Sequence, residues 1–300
     1  MKTLLMTLLL CAAATAHAKQ TRFNLDRGEA VFTYDIRWKD AEGDKDAVTF
    51  TLPVDVATQD RGEETWVERK ALAEFQAKAV RKYAKTLPKK VTLRAKTDGP
   101  RVMLSVSGPR SEAKAALKEG GLVAEQARLD WMSENQVTEL KGGGLIHDHA
   151  LLVVDYADEL APVAAALAEG TEGDRDYVER VLSFVQSIPY EARKKKGGDP
   201  GYRRPIALLN RNKGDCDSKA VLFLALVHAH RPELDLAVVY VPEHALTGVA
   251  LPAESGDRGF KAEGVAFLYA EPVGPAMAPL GQTAPANKKA GKKGEVRIVP

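Results

Sequence analysis

The stretch NKGDCDSKAVLFLALVHAHRP, Asn212 to Pro232, decides how this chain is read. Gly214 permits a tight turn, Asp215 is a good N-cap, and from Cys216 onward the residues form a helix that is apolar on almost every side. Arg231-Pro232 stops it. A helix start offers backbone N–H groups without intrahelical partners, so the sulfur of Cys216 stands where a thiolate, or an oxyanion beside it, is favoured. Asp215 and Asp217 oppose this, because nearby carboxylates disfavour a thiolate. A paired imidazolium has to outweigh them.

Working outward, the N-terminus decides how that cysteine is counted. The chain opens MKTLLMTLLLCAAATAHAKQ. Lys2 makes a positive start, the run from Leu4 to Ala14 is too short to span a bilayer, and Ala16-His17-Ala18 is a small-x-small cleavage site. Residues 1–18 therefore read as an export signal cleaved near Ala18, leaving a periplasmic or secreted protein that begins at Lys19. Leu10 stands before Cys11 where a lipobox requires a small residue. With Cys11 removed, Cys216 has no intramolecular partner, and a lone cysteine in an oxidising compartment is a reactive thiol, an intermolecular bridge or an inert buried hydrophobe.

The 300 residues are 45% hydrophobic and carry a formal charge of +2. Such a chain can bury substantial cores and suggests about two domains. The small net charge implies no steering of nucleic acid. No apolar run after the signal is long enough to anchor the protein stably in a membrane. Residues 19–140 alternate strand and helix signals in the order ββαββα, a small α+β sandwich, with the second helix interrupted at Gly120-Gly121. Residues 141–173 read as a linker, Lys141 to Gly144, and a connecting helix. DRDYVERVLSFVQSIPY then sets Val178, Val181, Leu182, Val185 and Ile188 on one helical face, ended by Pro189. The Lys/Ala/Gly/Pro-rich residues 282–300 read as a solvated tail.

A thiol nucleophile needs a base and a group that orients the base. His228 and His230 lie in the last turn of the cysteine helix, about 20 Å from its start. His147 and His149, in IHDH, lack a second ligand cluster and read as surface or capping residues. His244 opens the strand after LDLAVVYVP, and a sheet packed on the cysteine helix can bring it to the thiol. Glu271 closes the next apolar strand, GVAFLYAEP, and an antiparallel hairpin returns it towards His244. Asp257, in a polar Gly-containing loop, is the competing acid.

The order GDCDSKA, EHALTGVAL, FLYAEP resembles the bacterial transglutaminase-like cysteine peptidase superfamily, as do FVQSIPY and RRPIALL upstream. The resemblance covers residues 174–281 and implies an α+β protein. Its C-terminal catalytic domain would be a papain-like, transglutaminase-like core, with a nucleophile helix packed on an antiparallel sheet, beside the smaller N-terminal α+β domain. It implies Cys216 as nucleophile, His244 as base and Glu271 in the acid position, with no cofactor and no metal. Two departures stand out: no aromatic follows His244 where the family often has His-x-Trp, and the acid is Glu rather than the commoner Asp. Related cysteine enzymes use a Gln amide as the second oxyanion donor, and Gln186 is the candidate here, with a solvated side chain on the polar side of its amphipathic helix as the alternative. The activity implied is acyl transfer through a Cys thioester, to water as a peptidase or to an amine. The substrate would be a peptide or protein, cell-envelope peptides included, with the basic loop ARKKKGGDPGYRR meeting its carboxylates. The rival class is an inactive envelope binding protein built on the same core.

Overall fold

The structure is a computed structural model that describes residues 19–59, 67–191, 202–241, 244–273, 277–284, 287 and 290–300. The expected export signal and residues 192–201 of the basic loop lie outside the described residues. The chain opens with β1 (Lys19–Arg27), β2 (Val31–Lys39) and β3 (Lys45–Pro53), antiparallel in that order, and a single helical turn, α1 (Val54–Thr58). Along β2, Phe32, Tyr34, Ile36 and Trp38 are buried while the residues between them are not, the period of two of a one-sided strand. Then come α2 (Arg69–Ala84), the hairpin β4 (Thr92–Asp98) and β5 (Arg101–Ser107), and α3 (Arg110–Glu134).

The α+β class holds, but the first 140 residues do not form one sandwich. The apolar face of β2 and β3 joins the same core as helices from the second half of the chain. Trp38 packs edge-on against Phe184 at 5.5 Å and its Nε1–H donates to Ser183 Oγ at 3.0 Å. Tyr34 donates to Asn210 Oδ1 at 2.7 Å, and the Arg180 guanidinium grips Asp46 at 2.9 and 3.0 Å. The hairpin β4–β5 instead packs with α2 and α3 around Ala77, Val80, Leu93 and Ala95, a small core of its own. Gly120 does not interrupt α3. It lets Leu93 approach the helix so closely that a Cβ would lie 2.8 Å from the leucine methyl.

Lys141 to Gly144 are likewise not a free linker. They turn the chain between β6 (Val137–Glu139) and β7 (Leu145–His147), with Leu140 N–H donating to Gly144 O at 2.8 Å and Lys141 N–H to Glu295 Oε2 at 2.6 Å. Helices α4 (His149–Asp155), α5 (Ala157–Ala168), α6 (Gly173–Ser187), α7 (Pro205–Arg211) and α8 (Cys216–His230) follow. Every residue of α8 from Ser218 to Val227 is buried, as its unbroken apolar surface requires.

The second sheet comprises β8 (Leu236–Val241), β9 (His244–Val249), β10 (Gly259–Ala262) and β11 (Val265–Ala270). After the short helix α9 (Ala290–Lys293), it takes in β12 (Glu295–Ile298) as well. Its order is β10-β11-β9-β8-β12, antiparallel throughout. The expected solvated tail thus supplies an edge strand, paired from Glu295 opposite Tyr240 to Ile298 opposite Ala237. Ala290 and Val299 are buried. Four residues, EVRI, are enough to satisfy the free edge of β8, and the composition around them masks the signal.

Candidate active site

The local chemistry of GDCDSK builds the nucleophile turn as its sequence suggests. Asp215 is buried and its carboxylate accepts from Ser218 N–H at 3.0 Å and Ser218 Oγ–H at 2.6 Å, capping α8. Gly214 allows a close approach, since a Cβ there would lie 2.6 Å from Leu208 Cδ1 and make that side chain shift. The residue is stitched to the end of the preceding helical hairpin: Gly214 N–H donates to Pro189 O at 3.2 Å and Glu191 N–H to Gly214 O at 3.0 Å. The first helical residue is then Cys216, partly buried, with its sulfur 3.5 Å from Asp217 Oδ1.

β9 meets this turn at its own first residues. The main-chain N–H of Ala245 lies close enough to Cys216 to favour its thiolate, which places the first residues of β9 beside the nucleophile turn. His244 Nε2–H donates to Glu271 Oε1 at 3.0 Å, with the two side chains 21% and 8% exposed. Because Nε2 holds the proton shared with the carboxylate, Nδ1 is the nitrogen that carries a free lone pair in the neutral ring. Glu271 directly follows β11, and its main chain is held from two sides: Thr247 Oγ1–H donates to Ala270 O at 2.7 Å, and Gln186 Nε2 donates to Glu271 O at 2.9 Å.

Burial pushes the Glu271 carboxyl up. The His244 hydrogen bond, the Ala284 N–H at 2.8 Å and the Asn287 amide at 2.8 Å outweigh it and hold the pKa below the usual value. Burial pushes the Cys216 thiol up to about 12. Asp217 and Asp215 reinforce that shift, against the Ala245 N–H, so the resting group is a thiol. Deprotonation therefore has to accompany attack, with a base in place.

The amide of Gln186 is not an oxyanion donor. Its Nε2 is spent on Glu271 O and on Ala278 O at 2.8 Å, carbonyls on the loop that carries the acid, and the side chain is buried. Asp257 is also placed elsewhere: its carboxylate accepts from Arg175 at 2.6 Å and from Glu254 N–H at 2.8 Å. His147 and His149 are buried rather than on the surface. Their rings lie against Tyr202 at 5.7 and 5.0 Å, and Asp148, not a histidine, caps α4. Among the described residues no three His, Cys, Asp or Glu side chains converge as metal ligands.

Sequence reasoning passed over three neighbours. Asn287 sits in the stretch read as a tail, and nothing local marks it as a partner of Glu271. Lys219 is fully buried one turn after the cysteine. Its Nζ donates to Ile188 O at 2.8 Å and Gln186 O at 3.3 Å, tying the end of α6 to α8, and burial lowers its pKa to about 7. A lysine inside an apolar helix was the available signal. Tyr190, 49% exposed, stands at the rim; burial and then the charges of Cys216, Asp215 and Asp217 raise its phenol pKa. No protein-family model, curated protein or solved structure matches the chain.

Proposed function

We propose that this protein is an exported cysteine enzyme with a papain-like, transglutaminase-like core that transfers peptide or amide acyl groups, with hydrolysis as its main outcome. One observation carries the reading. The His244 imidazole is held by Glu271 at 3.0 Å on one nitrogen, while the backbone N–H of the next residue, Ala245, lies close enough to Cys216 at a helix N-terminus to favour its thiolate. The order nucleophile helix, His-bearing strand, acid-bearing strand within one antiparallel sheet supports it.

In the first half-reaction the Cys216 S–H proton passes to His244 Nδ1 as the sulfur bonds to the substrate carbonyl carbon. The carbonyl oxygen takes up the displaced electron pair beside the α8 N-terminus. Collapse of this adduct breaks the C–N bond, and the imidazolium returns the proton to the leaving amine. Water then attacks the thioester with His244 as base, releasing the carboxylic acid and restoring the thiol. Glu271 keeps the ring in the Nε2–H tautomer and balances the imidazolium charge. The test is release of peptides from envelope material by the wild type, lost in Cys216→Ser and His244→Ala.

A second reading, a binding scaffold without turnover, is favoured by the burial that, reinforced by Asp217 and Asp215, holds the thiol protonated. Iodoacetamide separates the two. A primed thiol reacts near pH 7 faster than a model thiol, and loses that excess in His244→Ala. An inert one shows neither effect.

A further inference from the structure

The net charge of the chain conceals a strong separation. Residues 69–134, which span α2, the β4–β5 hairpin and α3, contain fifteen Lys and Arg against seven Asp and Glu. Residues 19–68 and 135–300 contain twenty-seven against thirty-four, an excess of negative charge. The few acids of the basic unit are partly engaged by its own cations: Glu74 by Arg81 at 3.3 Å, Glu112 by Lys90 at 2.7 Å and Glu125 by Arg128 at 2.9 Å.

Only one face of the hairpin is covered. Leu93 and Ala95 turn inward onto the helices, while the alternate residues of both strands, from Thr92 to Asp98 and from Arg101 to Ser107, are exposed. In the hairpin register Arg94 lies opposite Ser105 and Lys96 opposite Met103. Arg101 stands at the turn end, opposite exposed Asp98, and exposed Lys89 and Arg110 flank the other end, so cations outnumber acids along a strip about 20 Å long at the usual rise per residue. Met103, 57% exposed, is an apolar side chain in the middle of these cations. The aromatic residues of the unit, Phe75, Tyr83 and Trp131, are half-buried or buried, so the strip offers no platform on which bases could stack.

We infer that the outer face of the β4–β5 hairpin docks the protein on a membrane surface rich in anionic phospholipid headgroups. A flat strip of cations around a protruding methionine is complementary to such a surface: the charges meet phosphate, and the thioether enters the interface. Outside the basic loop of residues 192–204, the rest of the chain holds twenty-one Lys and Arg against thirty-three Asp and Glu, so the same surface repels most of it and favours adsorption with the hairpin down. Among the described residues no helix is long and apolar enough to cross a membrane, and adsorption of this kind needs none. The inference is independent of whether Cys216 reacts.

The experiment is co-sedimentation of the chain from Lys19 to Pro300 with vesicles of about 30% phosphatidylglycerol in phosphatidylcholine, at about 0.1 M and about 0.5 M salt. Binding is expected to the anionic vesicles at the lower salt and to be lost at the higher, with none to pure phosphatidylcholine. Arg94→Gln, Lys96→Gln and Arg101→Gln together should lower the partition coefficient about 10²-fold, the scale for three interfacial cations. The charge-keeping set Arg94→Lys, Lys96→Arg and Arg101→Lys should bind like the wild type. As a control, Lys45→Gln, Lys213→Gln and Lys261→Gln, also exposed, should lower binding less than about threefold. Equal binding to both vesicle types, an equal loss in the control set, or binding to duplex DNA under conditions where the vesicles are not bound would each overturn the inference.

Discussion

Replacing Glu271 by Gln keeps the shape of the side chain and removes its charge. In the wild type, Oε1 accepts from His244 Nε2–H at 3.0 Å and Asn287 Nδ2–H at 2.8 Å, and Oε2 accepts from Ala284 N–H at 2.8 Å. An amide has one acceptor oxygen, so its NH2 must face either Ala284 or the pair of donors on the other side. In the first arrangement a donor is left unpaired, which costs about 1–3 kcal/mol of stability. In the second, the imidazole relieves the clash by carrying its proton on Nδ1, which removes the lone pair that would take the thiol proton. Both arrangements deprive the imidazolium of its counter-charge. The rate of thiol alkylation near pH 7, and of any hydrolysis, should fall between about 10²- and 10⁴-fold. Mass-spectrometric timing of iodoacetamide labelling measures it, and a urea melt shows that the variant is folded. The same melts carry a pH signature. The folded-state pKa of Glu271 lies below that of the unfolded chain, so its ionisation stabilises the fold above the unfolded value, and the gain is lost as pH falls through the folded value. Glu271→Gln should lack this acid-side loss. Asp257→Asn, which disturbs only the Arg175 cluster, should label within about threefold of wild type. A near-normal rate in Glu271→Gln with a collapse in Asp257→Asn would refute the assignment of the acid.

Lys219 should leave its mark on stability: it is charged in both states below about pH 7, and between there and 10.5 only the unfolded chain holds the proton, so stability rises with pH across that window. The rise should be of the order of a few kcal/mol, and Lys219→Met should abolish it; parallel urea-melt curves for the two proteins at about pH 6 and about pH 9.5 would show the reasoning to be wrong. Asp217→Asn removes the nearest negative charge from a thiol whose pKa is pushed up to about 12, so alkylation at about pH 8 should quicken roughly tenfold; an unchanged rate would mean that the carboxylate does not govern the thiol. Ending the chain at Gly281 removes β12 together with the Ala284 and Asn287 donors to Glu271, and should lower the urea midpoint and slow labelling; an unaltered midpoint would contradict the packing of the last strand. A fragment of residues 145–281 should fail to give a cooperative melt, because it lacks both β12 and the β2–β3 face; a sharp transition like that of the longer chain would contradict the shared core.

What could be read from the sequence is what short-range chemistry decides. The Gly214 turn, the Asp215 cap and the start of the cysteine helix depend on residues next to one another, and they form as their side chains dictate. The meeting of His244 and Glu271 was legible in part: their strands are antiparallel neighbours, but β10 intervenes in the chain and pairs on the far side of β11, so the simple hairpin expected from the sequence does not form. Gln186 was misjudged because its burial answers to Glu271 O and Ala278 O, carbonyls 85 and 92 residues away. A polar residue on a helix face looks solvated until the segment that covers it is known. The tail failed for the opposite reason, since its composition is that of a disordered end while its four-residue strand needs only one free edge to be ordered. The alternation in β2 announced a buried face but could not say what would cover it.

The apolar circumference of α8 could have said more about that cover. A helix buried from Ser218 to Val227 must be enclosed on every side, and the sheet containing β8 and β9 encloses only one. Helices α4, α5, α6 and α7 supply the rest, but α5 and α6 then present their own outer faces, and β2 and β3 lie against these. The N-terminal sheet is thus the outer layer of a stack whose centre is the cysteine helix. Lys219 pins that helix to the end of α6, whose Gln186 in turn holds the main chain of Glu271. Thiol, imidazole and carboxylate are therefore borne by elements that cannot move separately, the condition for an acid–base group to keep its tautomer and its distance. The β4–β5 hairpin packs with α2 and α3 on a small core of its own, and those helices meet the rest of the chain through Trp131 and Met132 against Val137 and Leu145, away from the thiol, so the basic face can meet a surface without touching the site.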